Sequence, residues 1–183
     1  MVPAPSASER STTAEPSDDS DDPADPDDDP SGHILILGAG ELTPPVLEEL
    51  HSAGDAPLVV VTPDASRAEA IAAGGDRVIV GDPSDEAIQR RAGVAAATAV
   101  VVATNDDAAD ALAVLTARHL APNVRIVAAA TNRENVDKLE MAGADVVVSP
   151  ATLGGKMLVR SALEGTGIED LAERILAVGE DDG

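Results

Sequence analysis

From His33 onward the chain alternates between two kinds of apolar pattern. Short runs rich in Val, Ile and Leu occur at His33–Leu37, Leu58–Thr62, Arg77–Val80, Thr98–Ala103, Val124–Ala129 and Asp145–Val148. Their apolar residues are consecutive, as in strands of a parallel sheet buried on both faces. Between them, Pro44–Ala53, Ser66–Ala73, Asp85–Ala92, Asp107–Leu120 and Glu134–Ala142 read as helices. The repeat length, roughly 20 to 25 residues, is that of a βα unit. Six such strands with five crossovers predict an α/β fold, a doubly wound parallel Rossmann sheet with strand order 3-2-1-4-5-6. Two further helical stretches follow, Pro150–Gly165 and Ile168–Val178, separated by Gly-Thr-Gly. The second places Ile168, Leu171, Ile175 and Leu176 at helical spacing, which calls for a partner surface such as another subunit.

Composition changes the picture at the ends. Residues 1–31 are rich in Ser, Pro and Asp with almost no large apolar side chain, so burial cannot offset their ordering entropy and a disordered acidic tail is expected. The domain then spans 32–165, and 166–183 form a crossover helix with an acidic end. The chain carries 34 acidic against 12 basic residues, a net charge of −22, and its only lysines are Lys138 and Lys156. That balance resembles the surfaces of proteins from salt-loving archaea, where salt screens self-repulsion. It also repels phosphate backbones, and without Phe, Tyr or Trp no base can stack, so no nucleic-acid partner is expected. The absence of Cys and Tyr removes disulfides, thiolate nucleophiles and tyrosine acids. The longest apolar run, Val94–Ala103, is strand-sized, short of a membrane span, and the N-terminus lacks a signal-peptide plan. A soluble, cytoplasmic chain is expected.

The first strand runs into GAGELTPPVLEEL, residues 38–50. A dinucleotide-binding turn reads G-x-G-x-x-G and points N–H groups of the next helix at a pyrophosphate. Gly38 and Gly40 hold the first two positions, permitting the tight turn and the approach of phosphates. Thr43 stands where a third glycine lets helix and strand pack closely, so its β-carbon is expected to push them apart. Pro44 and Pro45 suit an early helix but supply no N–H, and Glu41 adds a negative charge at the phosphate position. The ribose-binding acid that ends a typical second strand is displaced here: Thr62 holds its place and Asp64 follows. Asp64 reaches a hydroxyl only if Pro63 turns the chain inward. Arg67 is available to a phosphate, or is simply a solvated helix residue. The turn has kept its shape better than its chemistry.

Further along, GDPSDEAIQRRAGVAAATAVVVATNDDAADALAVLTAR and NVRIVAAATNRENVDKLEMAGADVVVSPATLGGKMLVRS carry an ordered set of motifs. These are GDP after the third strand, ATNDD after the fourth, and the block EN, L, AGAD, VVSP, G and RS at the end. As a set they resemble RCK (regulator of potassium conductance) or TrkA N-terminal domains over residues 33–165, more weakly to 178. The resemblance implies regulation rather than catalysis. It implies a homodimer or larger gating ring on the cytoplasmic side of a separate membrane potassium channel or transporter subunit. It also implies a ligand at the carboxyl edge of the sheet, a nucleotide such as NAD/NADH or ATP/ADP, with Asp82 near the adenine side. The turn is similar to that of calcium-gated archaeal potassium channels, which also lack the third glycine and have Glu-x-Thr there. The calcium carboxylates of those channels correspond to Ala103, Ala129 and Thr131, so that site is expected to be lost, as is the usual C-terminal RCK domain.

The candidate ligand contacts are Gly38, Gly40, Asp64, Asp82, Thr104 and Asn105. Each has a structural alternative. The glycines serve the turn itself; Asp82 suits a helix N-terminus; Thr104, Asn105 and Asp106 suit an N-cap cluster at the switch point of the sheet. Asp106, Asp107 and Asp110 read as a solvated acidic face, His33, His51 and His119 as surface or satisfied histidines, and Met141 and Met157 as packing residues. Two other functions compete with the regulatory one: a ligand-free assembly scaffold, and an NAD(P)-dependent oxidoreductase, which lacks a tyrosine acid and a substrate domain.

Overall fold

The strands form where the apolar runs predict them. In the computed structural model β1 (Ile34–Leu37), β2 (Leu58–Thr62), β3 (Arg77–Val80), β4 (Ala99–Val102), β5 (Arg125–Ala129) and β6 (Val146–Val148) make one parallel sheet, ordered β3-β2-β1-β4-β5-β6. The structure describes residues 32–54 and 56–164, so the acidic segment 1–31 and the helix expected at Ile168–Val178 lie outside the described residues. The sheet is in register across its centre: Leu35 pairs with Val59 on one side and Val100 on the other. The intervening helices are α1 (Thr43–Ala53), α2 (Ala65–Ala73), α3 (Glu86–Arg91), α4 (Asp107–Leu120) and α5 (Val136–Ala142), with α6 (Pro150–Glu164) after β6. Asp64 and Asp85 start α2 and α3 as N-caps, and Gly143 ends α5 at a φ of 114°.

The two faces of the sheet are filled unequally. Leu35, Leu37, Val59, Val61, Val100, Val102 and Ile126 point into a large cluster with α3, α4 and α5, where Val114 and Leu139 are fully buried. The opposite face holds only Ile36, Leu47, Leu58 and Val60 as its buried cluster, against α1 and α2. The cause is in the sequence of α2, ASRAEAIAA, whose one large apolar side chain is Ile71. It cannot fill the space toward α1, and a groove of about 470 Å³ remains between the two helices.

Two buried polar side chains brace the larger layer. His33 Nε2 donates to the Ala92 carbonyl at 3.0 Å, which makes His33 a satisfied core histidine. Gln89 donates to the carbonyls of Pro83 (2.8 Å) and Ala113 (2.9 Å), pinning α3 to α4. At the end of α4, Arg118 donates to the carbonyls of Pro122, Val124 and Gly143 and to the Asp145 carboxylate. Asp145 accepts in turn from Ile126 N at 2.7 Å, and this bond, with Arg118, holds its carboxyl below the usual range despite partial desolvation. Met141, read from sequence as a packing residue, is instead exposed. No helix among the described residues is long and apolar enough to cross a membrane.

Candidate functional site at the carboxyl edge of the sheet

The β1–α1 turn is closed by the loop beside it. Gly38 has a φ of 105°, and a β-carbon there would lie 2.5 Å from Thr104 Cγ2 and 3.0 Å from the Ala103 carbonyl. A β-carbon on Gly40 would lie 2.5 Å from Asn105 Oδ1 and 2.7 Å from Ala103 O. Both glycines are therefore required by the β4–α4 loop before any ligand is considered. Three amides of the turn are spent in the same way: Gly38 N donates to Val61 O (2.8 Å), Gly40 N to Ala103 O (3.0 Å) and Glu41 N to Asn105 Oδ1 (3.0 Å). Thr43 N reaches back to Gly40 O at 3.2 Å, and Pro44 and Pro45 have no N–H. Thr43 is buried at the first turn of α1, and its Oγ1 has no partner among the described residues.

Across the turn, Thr104, Asn105 and Asp106 do three different jobs instead of sharing one cap. Asp106 alone caps α4, accepting from Ala108 N (2.9 Å) and Ala109 N (3.2 Å). Asn105 has a φ of 77°, positive for no other non-glycine residue among those described, and aims its carboxamide at the glycine turn. Thr104 donates its N–H to Asp110 Oδ1 at 2.9 Å. The acidic group beyond it is not the solvated face expected: Asp107 and Asp110 are buried. Asp107 accepts from Thr131 N (2.7 Å), Asn132 N (3.0 Å) and Asn135 Nδ2 (2.7 Å), tying the β5–α5 loop to α4. Burial pushes the Asp107 carboxyl up, but these donors outweigh it and the net shift is downward. For Asp110 burial wins. Its carboxyl is pushed up to about 6, with Asp107 and Asp106 adding repulsion, and Oδ2 has no partner.

The first half of the edge is organised locally. Asp64 accepts from Ser66 N (2.9 Å), Ser66 Oγ (2.7 Å) and Arg67 N (3.2 Å), so a ribose hydroxyl would compete with the α2 cap for it. The Ser66 hydroxyl first, then the Arg67 amide, lower its carboxyl. Arg67 is more than a solvated helix residue: its guanidinium donates to the carbonyl of Ala39, inside the glycine turn. Asp82 accepts from the N–H and hydroxyl of Ser84, each at 2.8 Å, and these bonds lower its carboxyl. The helix N-terminal role suggested for Asp82 belongs to Asp85, which accepts from Ala87 N (2.7 Å) and Ile88 N (3.0 Å).

Two openings flank the turn. One is the groove between α1 and α2, whose upper end carries Gly40, Glu41, Thr43 and Arg67. The other is a cavity of about 200 Å³ reaching from Glu41 and Asn105 across Ala103, Ala129 and Thr131 to Pro150 at the start of α6. The three positions matched to channel calcium ligands thus converge, with Glu41 the one carboxylate on the lining. Among the described residues no group of three or more His, Cys, Asp or Glu is placed to hold a metal ion. Of the six candidate residues, Gly38, Gly40, Thr104 and Asn105 come together. Asp64 joins them only through Arg67, and Asp82 lines neither opening. Sequence reasoning missed Arg67 on the Ala39 carbonyl and the tying role of Asp107 and Asp110. The spacing of TNDDAAD was the available signal, since an acid four residues after the cap lies under the same loop.

Comparison with known proteins agrees with this fold. The chain is 30% identical over 153 residues to potassium channel protein 1 of Methanocaldococcus jannaschii, covering 82% of this chain and 45% of that one. It spans less than half the length of the curated channels it matches. Among solved structures, the GsuK channel bound to NAD is 33% identical with a TM-score of 0.60, covering 66% of this chain and 22% of that one. GsuK bound to ADP is 32% identical with a TM-score of 0.64, covering 74% and 35% respectively. The TrkA-N domain of inner membrane protein ybaL from Escherichia coli, 24% identical, shares the fold at a TM-score of 0.67 over 71% of this chain and 96% of that one. The TrkA-N domain family model matches residues 34–150. With its sheet order, glycine turn and ATNDD loop in place, the chain belongs to the TrkA-N domain family.

Proposed function

We propose that this chain is a cytoplasmic regulatory part of a potassium channel or transport system that senses a nucleotide at the carboxyl edge of its sheet. One observation carries the reading. The glycine turn lies between two openings and is hydrogen-bonded directly to the loop that starts α4, so occupancy of the turn acts on α4. In this reading Gly38 and Gly40 admit the phosphates, Arg67 offsets their charge, Asp64 and Asp82 serve the ribose and adenine side, and Thr104 and Asn105 form the far wall. The named binding of NAD and ADP by GsuK supports the ligand class. The potassium channels among the relatives support the partner, a membrane subunit.

Regulation requires two geometries with different affinities for the ligand. A homodimer or larger ring supplies them. Leu112 and Leu115 on α4, Met141 on α5, and Leu158, Val159 and Leu163 on α6 are exposed apolar residues suited to such contacts. Calcium is no ligand in this reading, because Ala103, Ala129 and Thr131 offer no carboxylate. A scaffold without a ligand is the second reading, favoured by the internal acceptors that already hold the amides of Gly38, Gly40 and Glu41.

Thermal denaturation in molar KCl separates the two. ADP, ATP, NAD⁺ or NADH raises the melting temperature of a sensor, and Arg67→Ala abolishes that rise; unchanged melting with all four leaves the scaffold. Light scattering in the same buffer checks assembly: a monomer at every concentration removes both readings.

A further inference from the structure

We infer that Asn105 is a built-in competitor of the ligand: its carboxamide oxygen holds the N–H of Glu41 in the resting protein, and a phosphorylated ligand takes the turn by displacing it. This rests on the nucleotide reading above and names how that site is regulated.

Three observations converge on it. The first is donor supply. Gly38 and Gly40 give their N–H groups to the carbonyls of Val61 and Ala103, which are parts of the sheet and its edge, and Pro44 and Pro45 have none to give. Glu41 N alone among these donates to a side chain, and a side chain can swing away. The second is position. The oxygen of Asn105 lies 2.5 Å from where a β-carbon of Gly40 would be, so it occupies the space that this glycine keeps clear for phosphates in a dinucleotide turn. The third is charge. A carboxamide satisfies the Glu41 amide without placing a second negative group beside the Glu41 carboxylate. A phosphate oxygen must overcome that repulsion, with Arg67 as the cation beside the turn.

Displacement has a built route outward. Asn105 stands between Thr104, whose N–H is held by Asp110, and Asp106, which caps α4. Asp107, the first residue of α4, holds the amides of Thr131 and Asn132. Release of Asn105 therefore loosens the start of α4 and the loop after β5 together. The internal contact makes the site selective. A free phosphate gains too little to expel the carboxamide, whereas a nucleoside diphosphate or dinucleotide brings further contacts.

The test is titration calorimetry of the full chain in molar KCl with ADP, NAD⁺ and inorganic pyrophosphate, comparing wild type, Asn105→Gly and Asn105→Asp. Glycine adopts the φ of 77° freely and removes the competitor, so it is expected to bind ADP about five- to tenfold tighter and to gain measurable pyrophosphate binding. Aspartate keeps the acceptor and adds charge, so it is expected to bind more weakly than wild type. Amide exchange at Glu41 is expected to speed up in Asn105→Gly and stay slow in Asn105→Asp. Equal or weaker binding by Asn105→Gly overturns the inference while the nucleotide reading stands. Pyrophosphate binding by Asn105→Gly with no nucleotide binding by any form supports the inference and ends the nucleotide reading. No binding by any form ends both. If Asn105→Gly does not fold, tighter ADP binding by Asn105→Asp overturns the inference by itself.

Discussion

The two halves of the sheet use their aspartates differently. On the β1–β3 side Asp64, Asp82 and Asp85 each hold backbone donors two or three residues ahead, at the surface. On the β4–β6 side Asp107 and Asp145 hold amides 24 and 19 residues away, joining segments distant in sequence, while Asp110 holds the amide 6 residues back in the loop before its own helix. The first arrangement fastens each loop to its own helix, and Arg67 on the Ala39 carbonyl links two of those loops. The second fastens loop to helix to loop. Under the proposed function, a ligand that touches Asn105 would meet this joined assembly and act on it as a unit. The packing divides differently: the thin α1–α2 layer and the thick α3–α5 layer lie on opposite faces of the sheet, and α3, capped by Asp85, belongs to the thick one.

The largest expected effect tests the β4–β6 half. Asp107→Ala leaves the donors of Thr131, Asn132 and Asn135 without their acceptor, and is expected to lower stability in urea denaturation by about 3 kcal/mol. A loss under about 1 kcal/mol would mean that the β5–α5 loop is not held this way.

Next comes a pH effect on the same half. The folded Asp110 carboxyl titrates near 6 against 3.8 in the unfolded chain. A raised folded value means the folded state binds the extra proton, so its contribution is fully present below 3.8 and is lost as pH rises through about 6. Asp64, Asp82, Asp107 and Asp145 are lowered, so their contributions are present above 3.8 and are lost only as pH falls further. Stability is expected to climb from pH 7 to pH 5 by on the order of 1 kcal/mol, read as a rising melting temperature, and to fall below pH 4. Asp110→Asn keeps an acceptor for Thr104 N and is expected to flatten the climb; an unchanged climb would assign it to the rest of the acidic surface.

The smallest effect belongs to the β1–β3 half. Asp85→Ala removes one exposed N-cap and is expected to cost about 1 kcal/mol, leaving amide exchange in the β5–α5 loop unchanged. Exchange that speeds up there would show the halves to be coupled and would weaken the contrast.

Consecutive Val and Ile runs at regular spacing fixed the strands, and a turn at each strand end fixed the order, because parallel crossovers leave few topologies. The local acids were only partly legible: an aspartate before a helix bonds the N–H groups two or three residues on, yet the cap of α3 is Asp85 and not Asp82. The meeting of Gly40 with Asn105, of Arg67 with Ala39, and of Asp107 with Thr131 was decided by the tertiary structure alone. Each joins residues 24 to 65 positions apart, and strand order, not spacing, sets that proximity. The same reason hid the burial of Asp107 and Asp110. The acids of TNDDAAD look solvated until the loop after β5 folds onto Asp107 and the loop after β4 onto Asp110.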